Sequence, residues 1–416
     1  MGSAQQPCVT TPFLERVSKG DIEAYRELAE ATACEMDWYN NIYAAKYKDA
    51  LETQFKKSGI SPLGKAATAY NLAYANCWGY PFGRMDKNGH ISKQGKKDFK
   101  KAQEFFHYAL ETLQKQRESA AGTDEAGMIN LYLGKLLKLA THYKLHDIND
   151  YPKYWKFVMD NRNNYGNYFK LAAEAGIPEG MYEYALYFLK KKDAKSAAGW
   201  LEKAAAYGHV EATAKLATLY YYGSESVDST LIMKPDYEKA FEWANRVVGI
   251  SPDGAKIYGF CRYYGHGCKQ DYNEALTFLK YSIIPETCDE LKDLERYYIL
   301  SVLYNKGWGG APDQDKSQQY WKVVKDSAPN NERNYIFAKA YYDGLICGQD
   351  YPAALSFLQK CVDRHKAYPP ACILLSRCYR FGRGVDADEK LADYYSKKAS
   401  FYRDGAITDD WLNHGL

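Results

Sequence analysis

His142 and His146 stand four residues apart, a spacing that puts two imidazoles on one helical face, with Asp147 next in the chain. Metal binding is the first chemistry to weigh. The glutamate that a helical zinc-hydrolase motif places between its histidines is missing, because Tyr143 and Lys144 occupy that ground, and a pair of surface histidines is the better reading. Cys261, His266 and Cys268 gather around the sequence YGHG. Two thiols and one imidazole fall short of a four-ligand tetrahedral site, and no paired C-x-x-C lies nearby, which favours core cysteines beside a loop histidine. No nucleophile elbow, P-loop or Gly-rich dinucleotide turn occurs. GWGGAP, from Gly307 to Pro312, is glycine-rich but carries no lysine. Asp236, Asp271, Asp313 and Asp350 recur with the period of the chain itself, which is how helix caps behave and not how paired catalytic carboxylates behave. The expectation is a non-catalytic protein with no metal and no cofactor. The competing enzyme or metal reading is confined to the N-terminal third, around His142, His146 and the loop Trp78 to Gln94.

The composition is that of a folded protein in water. Hydrophobic residues make up 46% and charged residues 26% of 416, and the mean hydropathy is -0.56. The most apolar stretch, Ile129 to Ala140, is interrupted by Asn130, Lys135 and Lys138, so no membrane span is expected. A net charge of +3 is too small to demand a nucleic-acid or membrane partner. Ten cysteines without regular spacing read as reduced core thiols. The Met-Gly-Ser opening reads as a vector remnant, and the residues after it have neither the basic nor the apolar part of a signal peptide. A cytoplasmic location is the expectation for the sequence as written, and a periplasmic or secreted one if a signal peptide preceded it. Forty tyrosines stand out, since Tyr combines a rigid apolar body with a polar tip.

The spacing of the residues contains a repeat. Five segments, AKLATLYYYG, IYGFCRYYG, ILSVLYNKG, IFAKAYYDG and LLSRCYRFG, end at Gly223, Gly265, Gly307, Gly344 and Gly382, at intervals of 42, 42, 37 and 38. Seven residues before each glycine the side chain is large, six before it is small (Ala217, Gly259, Ser301, Ala338, Ser376), and three before it is Tyr in four of five. A large, small and aromatic set at this spacing describes a helix approached closely by a neighbour, ended by a left-handed glycine. A second helix begins near Asp193, Asp236, Asp271, Asp313 and Asp350, with a small residue four positions on and an aromatic seven on. The last unit is read with Ala387 as its cap, Leu391 as its small residue and Tyr394 in the aromatic slot. Weaker copies lie upstream at Asp98, Ala102 and Phe105 and at Leu133, Gly134 and Tyr168. The implied organisation is an N-terminal segment with two cap helices (1–61; helices Pro12 to Ala33 and Glu35 to Lys57), divergent helix pairs with a long loop (62–167), regular pairs (168–401) and a tail (402–416).

These residues resemble the Sel1-like repeats, relatives of the tetratricopeptide repeats. ACILLSRCYRFGRGVDADEKLADYYSKKA comes nearest to the family pattern in its first helix and loop, and WLEKAAAYG matches the end of the second helix. FGRG and YGHG are read as the two loops that keep the full Gly-x-Gly. The resemblance implies an all-α, right-handed superhelical solenoid of about eight helix pairs, acting as an adaptor.

In such a superhelix the first helices line the concave face. Positions nine, five and two before each glycine are expected to face the groove, giving Ala214, Thr218, Tyr221, Lys256, Phe260, Tyr263, Tyr298, Val302, Asn305, Tyr335, Lys339, Tyr342, Ile373, Arg377 and Arg380. None is acidic, four are basic and six are aromatic. The expected contact residues are Tyr221, Lys256, Phe260, Tyr263, Tyr298, Asn305, Tyr335, Lys339, Tyr342, Arg377 and Arg380, gripping a partner protein or peptide with acidic and aromatic or apolar side chains. Nucleic acid is the disfavoured ligand, and nothing in the sequence sets the oligomeric state.

Overall fold

Each glycine-ended segment is a helix, and each aspartate-led segment after it is another. The computed structural model describes residues 47, 49–78, 98–120, 123, 125–143, 152–225, 231–283, 293–362 and 368–402. Its helices are α1 (Pro62–Trp78), α2 (Phe99–Ser119), α3 (Glu125–Tyr143), α4 (Pro152–Asn161), α5 (Tyr165–Glu174), α6 (Pro178–Lys190), α7 (Ala194–Ala206), α8 (Val210–Tyr222) and α9 (Tyr237–Val247). They continue as α10 (Pro252–Tyr264), α11 (Tyr272–Tyr281), α12 (Leu294–Lys306), α13 (Gln314–Asp326), α14 (Asn331–Asp343), α15 (Tyr351–Lys360), α16 (Pro369–Phe381) and α17 (Glu389–Tyr402). The pairs are α1/α2, α3/α5, α6/α7, α8/α9, α10/α11, α12/α13, α14/α15 and α16/α17, eight in all among the described residues. Helix α4 and a 3-10 turn, Arg162–Asn164, are inserted into the second pair. A short antiparallel ribbon, Ser224–Glu225 with Leu231–Met233, fills the insertion after Gly223. The expected first cap helix, most of the second, the loop after Gly79 and the tail beyond Tyr402 lie outside the described residues.

The described chain gathers into two compact units. One contains the described residues up to Tyr187 with Trp200–His209, and the other contains Phe188–Gly199, Val210–Ile283 and the described residues beyond Leu291.

Inside a pair, the cap aspartate does two jobs. Its carboxylate accepts from a backbone N–H in the first turn of the second helix, at 2.9 to 3.0 Å for Asp98, Asp193, Asp236, Asp271, Asp313 and Asp350. Its own backbone N–H donates back to the first helix, from Asp271 to Arg262 (2.8 Å), Asp313 to Tyr304 (3.0 Å) and Asp350 to Tyr341 (2.9 Å). The last pair obeys the same rule once its register is corrected. Asp388, not Ala387, donates to Tyr379 at 2.9 Å and caps Leu391 at 3.0 Å, so the small residue is the buried Ala392 and the aromatic is Tyr395, stacked on Tyr379 at 5.6 Å. Leu391 and Tyr394 are exposed neighbours of those slots.

The small positions are where paired helices touch. A Cβ on Gly259 would collide with Leu279. Ser301 and Ser317 each donate to the other's carbonyl, at 2.9 and 3.0 Å, and Ser376 donates to Ala392 at 2.7 Å, so hydroxyls at the contact are satisfied without widening it. Around this seam the aromatic slots stack, as in Tyr304 on Tyr320 (5.8 Å) and Phe337 on Phe357 (5.1 Å).

Successive pairs are joined by their loops. At Gly265–His266–Gly267, Gly307–Trp308–Gly309 and Gly382–Arg383–Gly384 both glycines have positive φ, so GWG is a third full Gly-x-Gly loop. The first glycine ends the helix. The second lies so close to the first residue of the preceding pair's second helix (Tyr237, Tyr272 or Tyr351) that a Cβ would collide with its backbone. The residue between them covers the same tyrosine. His266 stacks on Tyr237 at 4.1 Å, Trp308 stacks on Tyr272 at 4.8 Å, and the Arg383 guanidinium lies 5.5 Å from the Tyr351 ring. At the remaining junction of this series, Asn305 donates to the carbonyl of Leu345 at 2.6 Å instead.

Gly309→Ala meets both an unfavourable φ and the Tyr272 backbone, and its expected cost is about 2 kcal/mol or more. Gly199, helical with open space around its Cβ position, should instead gain about 0.5–1 kcal/mol as alanine. Chemical denaturation of the two variants checks both signs.

Candidate functional site: the face of the first helices

The predicted contact positions lie on α8, α10, α12, α14 and α16, and they divide sharply by burial. Tyr221, Phe260, Tyr263, Tyr298, Tyr335 and Tyr342 are all at most 8% exposed, with Phe260 and Tyr298 at 0%. Lys256, Asn305, Lys339, Arg377 and Arg380 keep part of their surface. The aromatic members are therefore contacts between repeats, because a first helix is flanked in its own layer by the helices of the pairs before and after it. Phe260 packs on Tyr221 (5.9 Å), Tyr335 meets Tyr368 edge-on (5.6 Å), and Tyr342 accepts from Arg383 (2.5 Å). A first helix in that position must be apolar on both flanks, which is why so few of its residues are free.

The polar members are joined to acids that the groove positions themselves lack. Lys256 pairs with Asp293 at 3.2 Å. Lys339 donates to the Tyr264 hydroxyl at 2.9 Å, and Tyr264 donates to Glu295 at 2.6 Å, so a single chain of hydrogen bonds ties α14 to α10 across α12. Tyr298 donates to Asp343 at 3.5 Å. Arg380 pairs with Asp393 of α17 at 3.0 Å. Burial pushes the Asp343 carboxyl above the usual range, while Lys339 and Arg377 pull it the other way. The face is thus much closer to neutral than its fifteen nominal positions suggest. The compensating acids sit at helix caps, in first turns and one residue before the glycine, places that a count of every ninth, fifth and second residue passes over.

A matching network in the N-terminal unit escaped the sequence reading. Lys135 and Lys138 of α3 pair with Glu179 and Glu183 of α6 at 2.7 and 2.6 Å, and His209 donates to Glu179 at 2.8 Å. The signal was present as two lysines three apart inside the apolar stretch Ile129 to Ala140, and two glutamates four apart on the next first helix. Burial pushes the Glu179 carboxyl up, but the hydrogen bonds from His209 and Lys135 outweigh it and hold the group well below the usual carboxylate range.

Several of the candidate chemical groups make structural contacts. His266 lies between Tyr237 (4.1 Å) and Tyr264 (5.0 Å), its Nδ1 3.3 Å from the Tyr221 hydroxyl. Cys261 is buried and Cys268 half-buried, both as free thiols. Burial pushes Cys361 up to about 12 and Cys372 and Cys378 up to about 11, the opposite of an activated nucleophile. His142 packs edge-on against Tyr143 at 4.6 Å, and His146 lies outside the described residues. Among the described residues no group of three metal-ligating side chains comes together, and no helix is long and apolar enough to cross a membrane.

The Sel1 repeat profile matches six segments, residues 178–209, 210–246, 252–283, 297–322, 337–361 and 369–400. No curated protein matches the chain. Among solved structures, the Sel1 repeat protein from Oxalobacter formigenes is similar at 19% identity, covering 89% of this chain and 92% of that one, with a TM-score of 0.35. The protein c5321, a protective antigen of uropathogenic Escherichia coli displaying an SLR fold, is similar at 16% identity, covering 97% and 92%, with a TM-score of 0.38.

Acid should destabilise the N-terminal unit in two successive windows. Burial lowers His107 from 6.5 to about 4, so folding favours its neutral form. The stability tied to it is complete above pH 6.5 and is lost as pH falls towards 4. Glu179, depressed in the fold, contributes above its unfolded value of about 4.3 and loses that contribution as pH falls below it. Thermal midpoints measured against pH should flatten in the upper window for His107→Gln and in the lower window for Glu179→Gln.

Proposed function

From the premise that this chain belongs to the Sel1 repeat family, we propose that it is a non-catalytic protein-interaction scaffold whose partner is held through the polar members of the first-helix face. Sel1 repeat proteins are generally scaffolds of this kind, and a stack of helix pairs presents extended surface without needing a catalytic pocket. The observation that carries the finer reading is the division of the eleven positions by burial. The six aromatic residues build the platform between repeats, whereas Lys256, Asn305, Lys339, Arg377 and Arg380 keep surface from which a partner can be reached. Of the four cations among them, Lys256 and Arg380 are paired with Asp293 and Asp393, so the preference for an acidic partner segment rests on Lys339 and Arg377, and Arg is a frequent anchor in protein interfaces.

The test is comparative capture from the source cells. Replacing Lys339 and Arg377 together with alanine should reduce recovery of a specific partner about tenfold, within the range of interface hot spots, while the circular dichroism spectrum stays that of the folded parent, the lost Lys339–Tyr264 hydrogen bond costing about 1 kcal/mol. Tyr335→Phe, which keeps the buried ring and removes its hydroxyl, should leave recovery unchanged. Equal recovery by the double variant and the parent would contradict the assignment of the face.

A further inference from the structure

The turn between α6 and α7 departs from every other turn at a first-helix end in the Sel1-matched region. Helices α8, α10, α12, α14 and α16 stop at Gly223, Gly265, Gly307, Gly344 and Gly382, all left-handed. Helix α6 stops at Lys192, with φ at 63°, the one non-glycine residue of positive φ among the described residues. The hydrogen bonds are those of a normal helix stop, Lys192 N–H to Leu189 O and Asp193 N–H to Phe188 O, both at 3.0 Å. The cap Asp193 follows Lys192 at once, whereas Asp271, Asp313, Asp350 and Asp388 each follow their helix-ending glycine by about six residues.

Lysine at this position costs about 1 kcal/mol relative to glycine. Strain kept at one position invites a functional explanation, and the neighbouring residues supply one. Lys190, Lys191, Lys192 and Lys195 are all exposed. In the eleven residues 188–198 four lysines stand against a single aspartate, a local excess of +3 that equals the formal net charge of all 416 residues. That aspartate is committed to the helix cap, accepting from Ser196 N–H at 3.0 Å. The tight turn carries these exposed side chains as one cationic knuckle on a chain that is otherwise balanced.

We propose that the Lys190–Lys195 turn is a docking point for an acidic segment of a partner protein, separate from the first-helix face. The proposal rests on the scaffold reading only in taking the partner to be a protein. Clustered positive charge on a rigid turn speeds encounter with an acidic segment, and the contact weakens with salt.

The full chain is titrated with a decaglutamate peptide, with vesicles containing phosphatidylserine and with duplex DNA. The expected result is peptide binding that falls with salt and weakens about tenfold in Lys192→Glu/Lys195→Glu. Lys192→Gly should raise the thermal midpoint and weaken peptide binding together; a lysine serving structure alone would leave binding unmoved. Absence of peptide binding, indifference to the charge reversals, or tighter binding of vesicles or DNA than of peptide would overturn the proposal. Partner capture by the Lys339/Arg377 double variant, measured alongside, reports on the first-helix face independently, so the two readings can fail separately.

Discussion

A residue held between two left-handed glycines, pressed onto the tyrosine that opens the second helix of the preceding pair, fixes how one helix pair follows another. The arrangement recurs at His266 on Tyr237, Trp308 on Tyr272 and Arg383 on Tyr351. The side chain changes from imidazole to indole to guanidinium, yet the contact is kept because all three offer a flat face to the ring. What does not change is the second glycine, whose missing Cβ lets the loop backbone lie against the helix start. Repeat proteins depend on nearest-neighbour interfaces of this kind, since no pair buries its own apolar surface alone.

The site follows from the same constraint. When pairs are clasped this closely, the first helices of successive pairs press on each other, and the Tyr-rich positions between them become interior. The hydrogen-bond chain from Lys339 through Tyr264 to Glu295 spans three first helices. The rings buried between first helices give up freedom to bind, and the proposed partner contacts fall on the polar edges of that face and on the Lys190–Lys195 turn.

Much of the fold was legible because its signals are local. The aspartate caps, left-handed glycines and small contact residues each depend on spacing within one pair, and Ser301 and Ser317, the two small positions of one pair, face each other. Reading the last pair one residue early, at Ala387 instead of Asp388, came from aligning on Tyr394 when Tyr395 is the ring that stacks. The site was less legible for a physical reason. Whether Tyr298 faces solvent or the next helix depends on residues some forty positions away, and the neutralising Asp293, Glu295 and Asp343 reach the face from caps, first turns and helix ends. Lys192 was also passed over, because a left-handed lysine leaves no mark in composition or period.

A double-mutant cycle between Tyr272 and Trp308, each replaced by alanine and followed by chemical denaturation, tests the clasp most directly. The account predicts a coupling of about 0.5–1.5 kcal/mol between the two rings. Strictly additive losses would contradict it, since they would mean that each residue stabilises only its own pair.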